Sequence, residues 1–149
     1  MKCDQKNRGD FMSQKSIKSK TQLRTLYKNP DEMSVKKSLP KLDKHLKHFI
    51  NLSPFLVLST VRDDGFCDAS PRGDAPGFVR ILDDNNLFLP DRPGNNRLDS
   101  LTNIIKNPGI GLLFMIPGLD MTLRANGKAH IVYDITLLEP SMVNKRIPK

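Results

Sequence analysis

No segment of this sequence is apolar enough to cross a bilayer as a helix. Its longest uninterrupted apolar stretch is Leu112–Ile116, with Ile110 just before it, against the roughly 18 residues a crossing requires. Met1 to Lys20 is polar throughout and lacks the apolar run that follows the basic start of a secretory signal. Only two cysteines occur, Cys3 and Cys67; they are far apart, form no CxxC pair and are too few for a disulfide scaffold, so they read as free thiols in a reducing compartment. Together these absences predict a cytoplasmic protein. Tryptophan is missing and tyrosine occurs twice, so few aromatic rings alternate with the basic residues to stack nucleic-acid bases. There is no Gly-x-Ser-x-Gly elbow, no phosphate-loop Gly-Lys-Ser/Thr and no zinc spacing, which argues against a serine hydrolase, a nucleotide hydrolase or a zinc protein. His45 and His48 lie one helical turn apart, but no carboxylate or cysteine pattern completes a site around them, so they read as surface histidines and no metal is expected.

What remains fits one domain: 149 residues, 38% hydrophobic, net charge +8. The charge is uneven. Residues 1–50 hold 13 basic and 5 acidic side chains, whereas residues 51–149 hold 11 of each, so the excess is confined to the first third. A small barrel binding nucleic acid through that basic third is one reading, tested by salt-dependent binding; the scarcity of interleaved aromatics weighs against it.

Residues 1–15 have almost nothing to bury and are expected to be disordered. Leu23, Leu26 and Tyr27, then Leu42, Leu46, Phe49 and Ile50, recur at helical spacing and predict two short amphipathic helices. Pro40 suits the first turn of the second. Lys41, Lys44 and Lys47 read as its solvated face. From Ser53 the period changes. Phe55 to Val61 and Phe66 to Arg72 read as strands around the turn Arg62-Asp63-Asp64-Gly65. Phe78 to Leu82 and Leu87 to Pro90 flank Asp83-Asp84-Asn85-Asn86 as a hairpin. Leu98, Leu101, Ile104 and Ile105 predict a helix stopping at Asn107-Pro108-Gly109. Ile110 to Ile116 reads as a strand buried on both faces, and Thr122 to Tyr133 as its return, with Gly127 as a bulge. Glu139 to Lys149 shows no clear period. Six short antiparallel strands with flanking helices imply a mainly β fold, a small barrel or sandwich.

The segment from Leu89 to Leu101 carries the chemistry. A strand ends, a loop containing Gly94 follows, and a helix begins near Arg97. The first amides of a helix lack internal partners and sit at the positive end of its dipole, which makes an anion site. Asn95 or Asn96 can cap it, and Arg97 in the first turn supplies a fork of donors for a phosphate. Arg72, at the end of a strand stiffened by Pro71, is a second cation, with a salt bridge to Asp68 or Asp74 as its structural alternative.

Four ordered motifs, Ser70-Pro-Arg-Gly-Asp-Ala-Pro-Gly-Phe-Val79, Leu89-Pro-Asp-Arg-Pro-Gly-Asn-Asn-Arg97, Asn107-Pro with Gly111-Leu-Leu-Phe-Met-Ile-Pro-Gly118, and Thr122-Leu-Arg-Ala-Asn-Gly-Lys-Ala129, resemble the pyridoxamine 5'-phosphate oxidase-like FMN-binding split-barrel family, and most closely a bacterial subgroup of it. The resemblance covers roughly Ile17 to Ile131. It implies an antiparallel split β-barrel that is a homodimer with FMN in clefts between the subunits. Residues 1–15 would be a basic tail, 16–51 a helical segment packed on the barrel and 52–149 the FMN-binding barrel. Carried over by position, Arg97, Asn96 and Asn95 would meet the FMN phosphate, with Arg72 adding charge, while Ser70 and Pro71 with Arg72 form the flavin-contacting strand. Pro90 and Asp91 would lie under the ring and ribityl chain. Phe114 and Met115 are candidates for contacts across the dimer, or for core packing.

Related sequences continue past this chain's last residue with a further strand and a short helix. The Arg and His residues that hold the pyridoxal substrate near the C-terminus of the true oxidases have no counterpart here, so pyridoxamine phosphate oxidation is not expected. The function implied is an FMN-dependent oxidoreductase acting on a small-molecule substrate, or else a non-catalytic binder of FMN or a deazaflavin. The absence of a side-chain nucleophile accords with a flavoprotein, whose ring carries the electrons.

Overall fold

The structure, a computed structural model, describes residues 16–32 and 38–148; the expected disordered tail, 1–15, lies outside the described residues. The chain divides into two units, Met1–Pro40 and Lys41–Lys149. In the first unit, helix α1 (Lys20–Leu26) is capped by Ser19, whose hydroxyl accepts from the Gln22 amide. None of its residues is buried.

In the second unit, helix α2 (Lys44–Leu52) starts where the Asp43 carboxylate accepts from the amides of His45 and Leu46. That cap fixes the start, so Pro40 lies outside the first turn that the sequence suggested for it. The predicted stripe is real: Leu42, Leu46 and Phe49 are half-buried and Ile50 is wholly buried.

Strands β1 (Phe55–Val61), β2 (Cys67–Gly73), β5 (Gly109–Met115) and β6 (Thr122–Lys128) form one antiparallel sheet in the order β2-β1-β5-β6, and β3 (Arg80–Ile81) pairs with β4 (Leu87–Phe88). The β1–β2 turn closes with Gly65 at φ 80°, a conformation glycine adopts without steric cost. Direct cross-strand neighbours share a face. One face therefore carries Leu56, Leu58, Leu112, Phe114, Leu123 and Ala125, and it packs against Ile50 of α2 and against Phe78, Val79, Ile81 and Leu87 of the β3–β4 region to make the core. The opposite face carries Val57, Pro71, Leu113 and Met115 and is only partly covered. Strand β5 is thus buried on one face, not both: Phe114 is fully buried, whereas Leu113 is 36% exposed.

The return strand ends at Lys128, short of Tyr133, and contains no bulge. Gly127 stands directly opposite Ile110 within an unbroken register. Gly127 shares the face of Leu123 and Ala125 but lies at the exposed end of an edge strand, where an added Cβ would meet nothing within 4 Å, so packing does not require a side chain there. After Tyr133 the chain forms helix α4 (Ile135–Leu138), and the stretch without period begins with the 3₁₀ turn that continues it, Glu139–Ser141.

Two of the three lysines read as a solvated face, Lys41 and Lys47, are paired. Lys47 Nζ lies 2.6 Å and Lys41 Nζ 3.8 Å from the Asp84 carboxylate, tying the helix to the tip of the β3–β4 hairpin. The Lys47 hydrogen bond and charge hold the Asp84 carboxyl below its ordinary value of 3.8, and the Asn86 side chain with the Asn85 amide does the same for Asp83. A carboxyl whose folded pKa is depressed contributes stability that is present above the unfolded pKa and is lost as pH falls through the folded value. Denaturation series at stepped pH should therefore show wild-type stability declining more steeply below pH 3.8 than that of Asp84→Asn, with the two slopes matching at neutral pH.

Candidate functional site

Strand alternation puts Asp68, Ser70 and Arg72 on the inward face of the edge strand β2 and Pro71 on the outward face. Arg72 Nη1 donates to Asp91 Oδ1 at 2.9 Å, with both side chains about three-quarters buried. This joins two predicted site residues 19 positions apart, and it replaces the local bridge to Asp68 or Asp74 that the sequence offered. Arg72 Nε is buried with no hydrogen-bond partner among the described residues. Pro90 is buried beside the pair.

The neighbouring residues repeat the arrangement. Arg92 Nε lies 2.6 Å from Asp74 Oδ2, and Arg92 Nη1 donates to the Ser141 carbonyl at 2.6 Å. The end of β2 is therefore cross-linked to the loop after β4 by two half-buried Arg–Asp pairs. Beyond Arg92 the C-terminal segment completes a cavity of about 560 Å³ lined by Gly73, Asp74, Arg92, Pro93, Val143 and Arg146 among others. Its wall is a tight turn in which Val143 and Arg146 exchange backbone hydrogen bonds and Asn144 and Lys145 hold φ of 50° and 61°. The Arg92–Asp74 pair and this turn escaped the sequence reading, in which Asp74 is only a candidate partner of Arg72, because the partners are distant in the chain and the tail shows no period.

The loop 93–98 is exposed and leads into helix α3 (Asp99–Lys106). Arg97 precedes this helix and is not part of its first turn. Leu98 occupies the capping position and contributes no side-chain hydrogen bond, so neither Asn95 nor Asn96 caps it; the Asn95 Oδ1 instead accepts from the Arg97 amide at 3.1 Å. The α3 amino end therefore lacks a side-chain cap from that position. Asn96 and Leu98, flanking Arg97, hold φ of 58° and 59°. For leucine this left-handed conformation costs on the order of 1 kcal/mol. Arg97 itself is largely exposed and pairs with Asp99 at 2.7 Å. The two cations expected at a phosphate thus differ: Arg97 is accessible, whereas Arg72 is engaged by Asp91. Phe114 belongs to the core, and Met115 faces the opposite side of the sheet.

A four-stranded antiparallel sheet and a two-stranded hairpin, closed over one core by α2, define a split-barrel fold, the class implied by the sequence motifs. The family model for pyridoxamine 5'-phosphate oxidase matches residues 42–147, and the chain belongs to that family. Among solved structures, that of an epitope- and histidine-tagged HupZ variant from Group A Streptococcus is similar, with 19% identity, a TM-score of 0.53, and coverage of 71% of this chain and 86% of that one. At that identity it supports the fold alone. No curated protein sequence matches. Among the described residues, no helix is long and apolar enough to cross a membrane.

Proposed function

We propose that the chain is an FMN-binding flavoprotein and, within its family, an FMN-dependent oxidoreductase acting on a small-molecule substrate in the cytoplasm. The observation that carries this reading is the entrance to α3. A helix end without a side-chain cap, an exposed Arg97 and a strained loop form an anion receptor, and they stand at the position that the family motif assigns to the FMN phosphate. The residues fit the cofactor on a second count, since the buried Arg72 Nε lacks an acceptor among the described residues and lies on the strand assigned to the ring.

Arg97, Asn96 and the first α3 amides hold the phosphate, with Asn95 fixing the Arg97 backbone. The Arg72–Asp91 pair pins the loop beginning at Pro90 against β2, so Ser70, Pro90 and Asp91 border one strip, while Pro71 faces the other side of the sheet. When bound, the flavin ring supplies the electron transfer. The partly covered sheet face around Val57, Pro71 and Leu113 is the surface for a second copy, giving a homodimer with the cofactor at the subunit interface.

The test is the visible spectrum and solution mass of the purified chain with and without added FMN. Flavin absorbance travelling with a dimer supports the reading, and a colourless monomer that ignores FMN overturns it. Bound flavin that neither a nicotinamide nor any other donor reduces with turnover would select the non-catalytic binder, for which a deazaflavin is the competing ligand.

A further inference from the structure

Helix α3 meets the sheet through two polar rungs. Ser100 Oγ donates to Asp68 Oδ2 at 2.9 Å, and Asn103 Nδ2 donates to Thr60 Oγ1 at 2.9 Å. Ser100, Asn103 and Thr60 are all buried. The spacing is regular on both sides: residues 100 and 103 share one helix face, and Thr60 and Asp68 are direct cross-strand partners on β1 and β2. An apolar seam such as the one made by Ile104 lets a helix slide or rotate at small cost, because hydrophobic contact is not directional. One buried and one part-buried hydrogen bond do not, since either displacement leaves a buried Ser100, Asn103 or Thr60 polar group unpaired.

The first rung sits at the second residue of α3, and its acceptor is on the face of β2 that also carries Ser70 and Arg72. It therefore fixes the separation between the amino end of the helix and the strand bearing Arg72. We infer that Ser100 and Asp68 are positioning residues that set the distance between the phosphate end and the ring end of the cofactor strip. This rests on the FMN reading above. Neither side chain needs to touch the cofactor; each acts through the placement of α3 and its preceding loop.

Riboflavin shares the ring and ribityl chain of FMN but lacks the phosphate, so comparing the two isolates the phosphate end. Dissociation constants for both flavins should be measured with wild type, Ser100→Ala, Ser100→Thr and Asp68→Ala, alongside thermal midpoints. The expected result is that Ser100→Ala and Asp68→Ala weaken FMN about tenfold and riboflavin less than twofold, and that Ser100→Thr, which keeps the hydroxyl, stays within threefold of wild type. A merely structural role would lower the thermal midpoint and shift both flavins together, or shift neither, and either outcome overturns the inference. If the wild-type chain binds FMN and Arg97→Ala weakens it while Ser100→Ala does not, this role fails alone; if the wild-type chain binds neither flavin, the FMN reading fails with it.

Discussion

Replacing Phe114 with alanine should lower the free energy of unfolding by about 3 to 5 kcal/mol, the range for truncating a buried aromatic. Phe114 is fully buried on the central strand β5, between Leu56 of β1 and Leu123 of β6. The ring is enclosed by the same cluster that joins α2 and the β3–β4 hairpin to the sheet, so truncation leaves a void that no single element can move to fill. Against a typical domain stability of about 5 to 15 kcal/mol the loss is large. Urea denaturation should show a lower midpoint at unchanged slope. Ile105→Ala gives the contrast: that side chain is 76% exposed on α3, and its removal should change stability by no more than about 0.5 kcal/mol. Equal effects at the two positions would mean that the core is not centred on β5.

The elements legible in the sequence are those whose signal is local. Phe55–Val61 reads as a strand from its own side chains, α2 from four apolar residues at helical spacing, and the β1–β2 turn from Asp63-Asp64-Gly65. What escaped depends on partners elsewhere in the chain. The run Gly111–Met115 is apolar at every position, so its composition cannot reveal that one face is left partly open; only the single helix layer shows it. Arg72 was offered Asp68 and Asp74 because they are near in sequence. On a strand, residue i+4 is about 13 Å away along the same face, beyond the reach of a direct pair, and Asp68 is engaged by Ser100 and Asp74 by Arg92. The acceptor for Arg72 comes from the loop after β4, a meeting created by the sheet topology. The order of strand end, glycine-containing loop and helix start was legible because its signal is local. Its cap was not, because the left-handed turn at Leu98 displaces Asn95 and Asn96 from the capping position.

That displaced cap gives the sharpest test of the cofactor site. Arg97→Ala should weaken FMN binding at least tenfold. A charge-assisted hydrogen bond contributes about 1.5 to 3 kcal/mol, and about 1.4 kcal/mol corresponds to each decade of affinity. Folding should hardly change, because the Arg97–Asp99 pair is exposed on both sides and such pairs contribute little, at most about 1 kcal/mol. Asp99 makes the converse prediction. Its carboxylate already occupies the Arg97 fork at the amino end of α3, where a phosphate would have to share or displace it, so Asp99→Asn should strengthen FMN binding even though it removes a charge that favours the helix dipole. Opposite signs from two substitutions on either side of Leu98, read by fluorescence quenching of the flavin on titration, cannot come from general destabilisation. They require an anion at this helix end. If both variants bind FMN with wild-type affinity, the phosphate lies elsewhere and the assignment of Arg97, Asn96 and Asn95 falls.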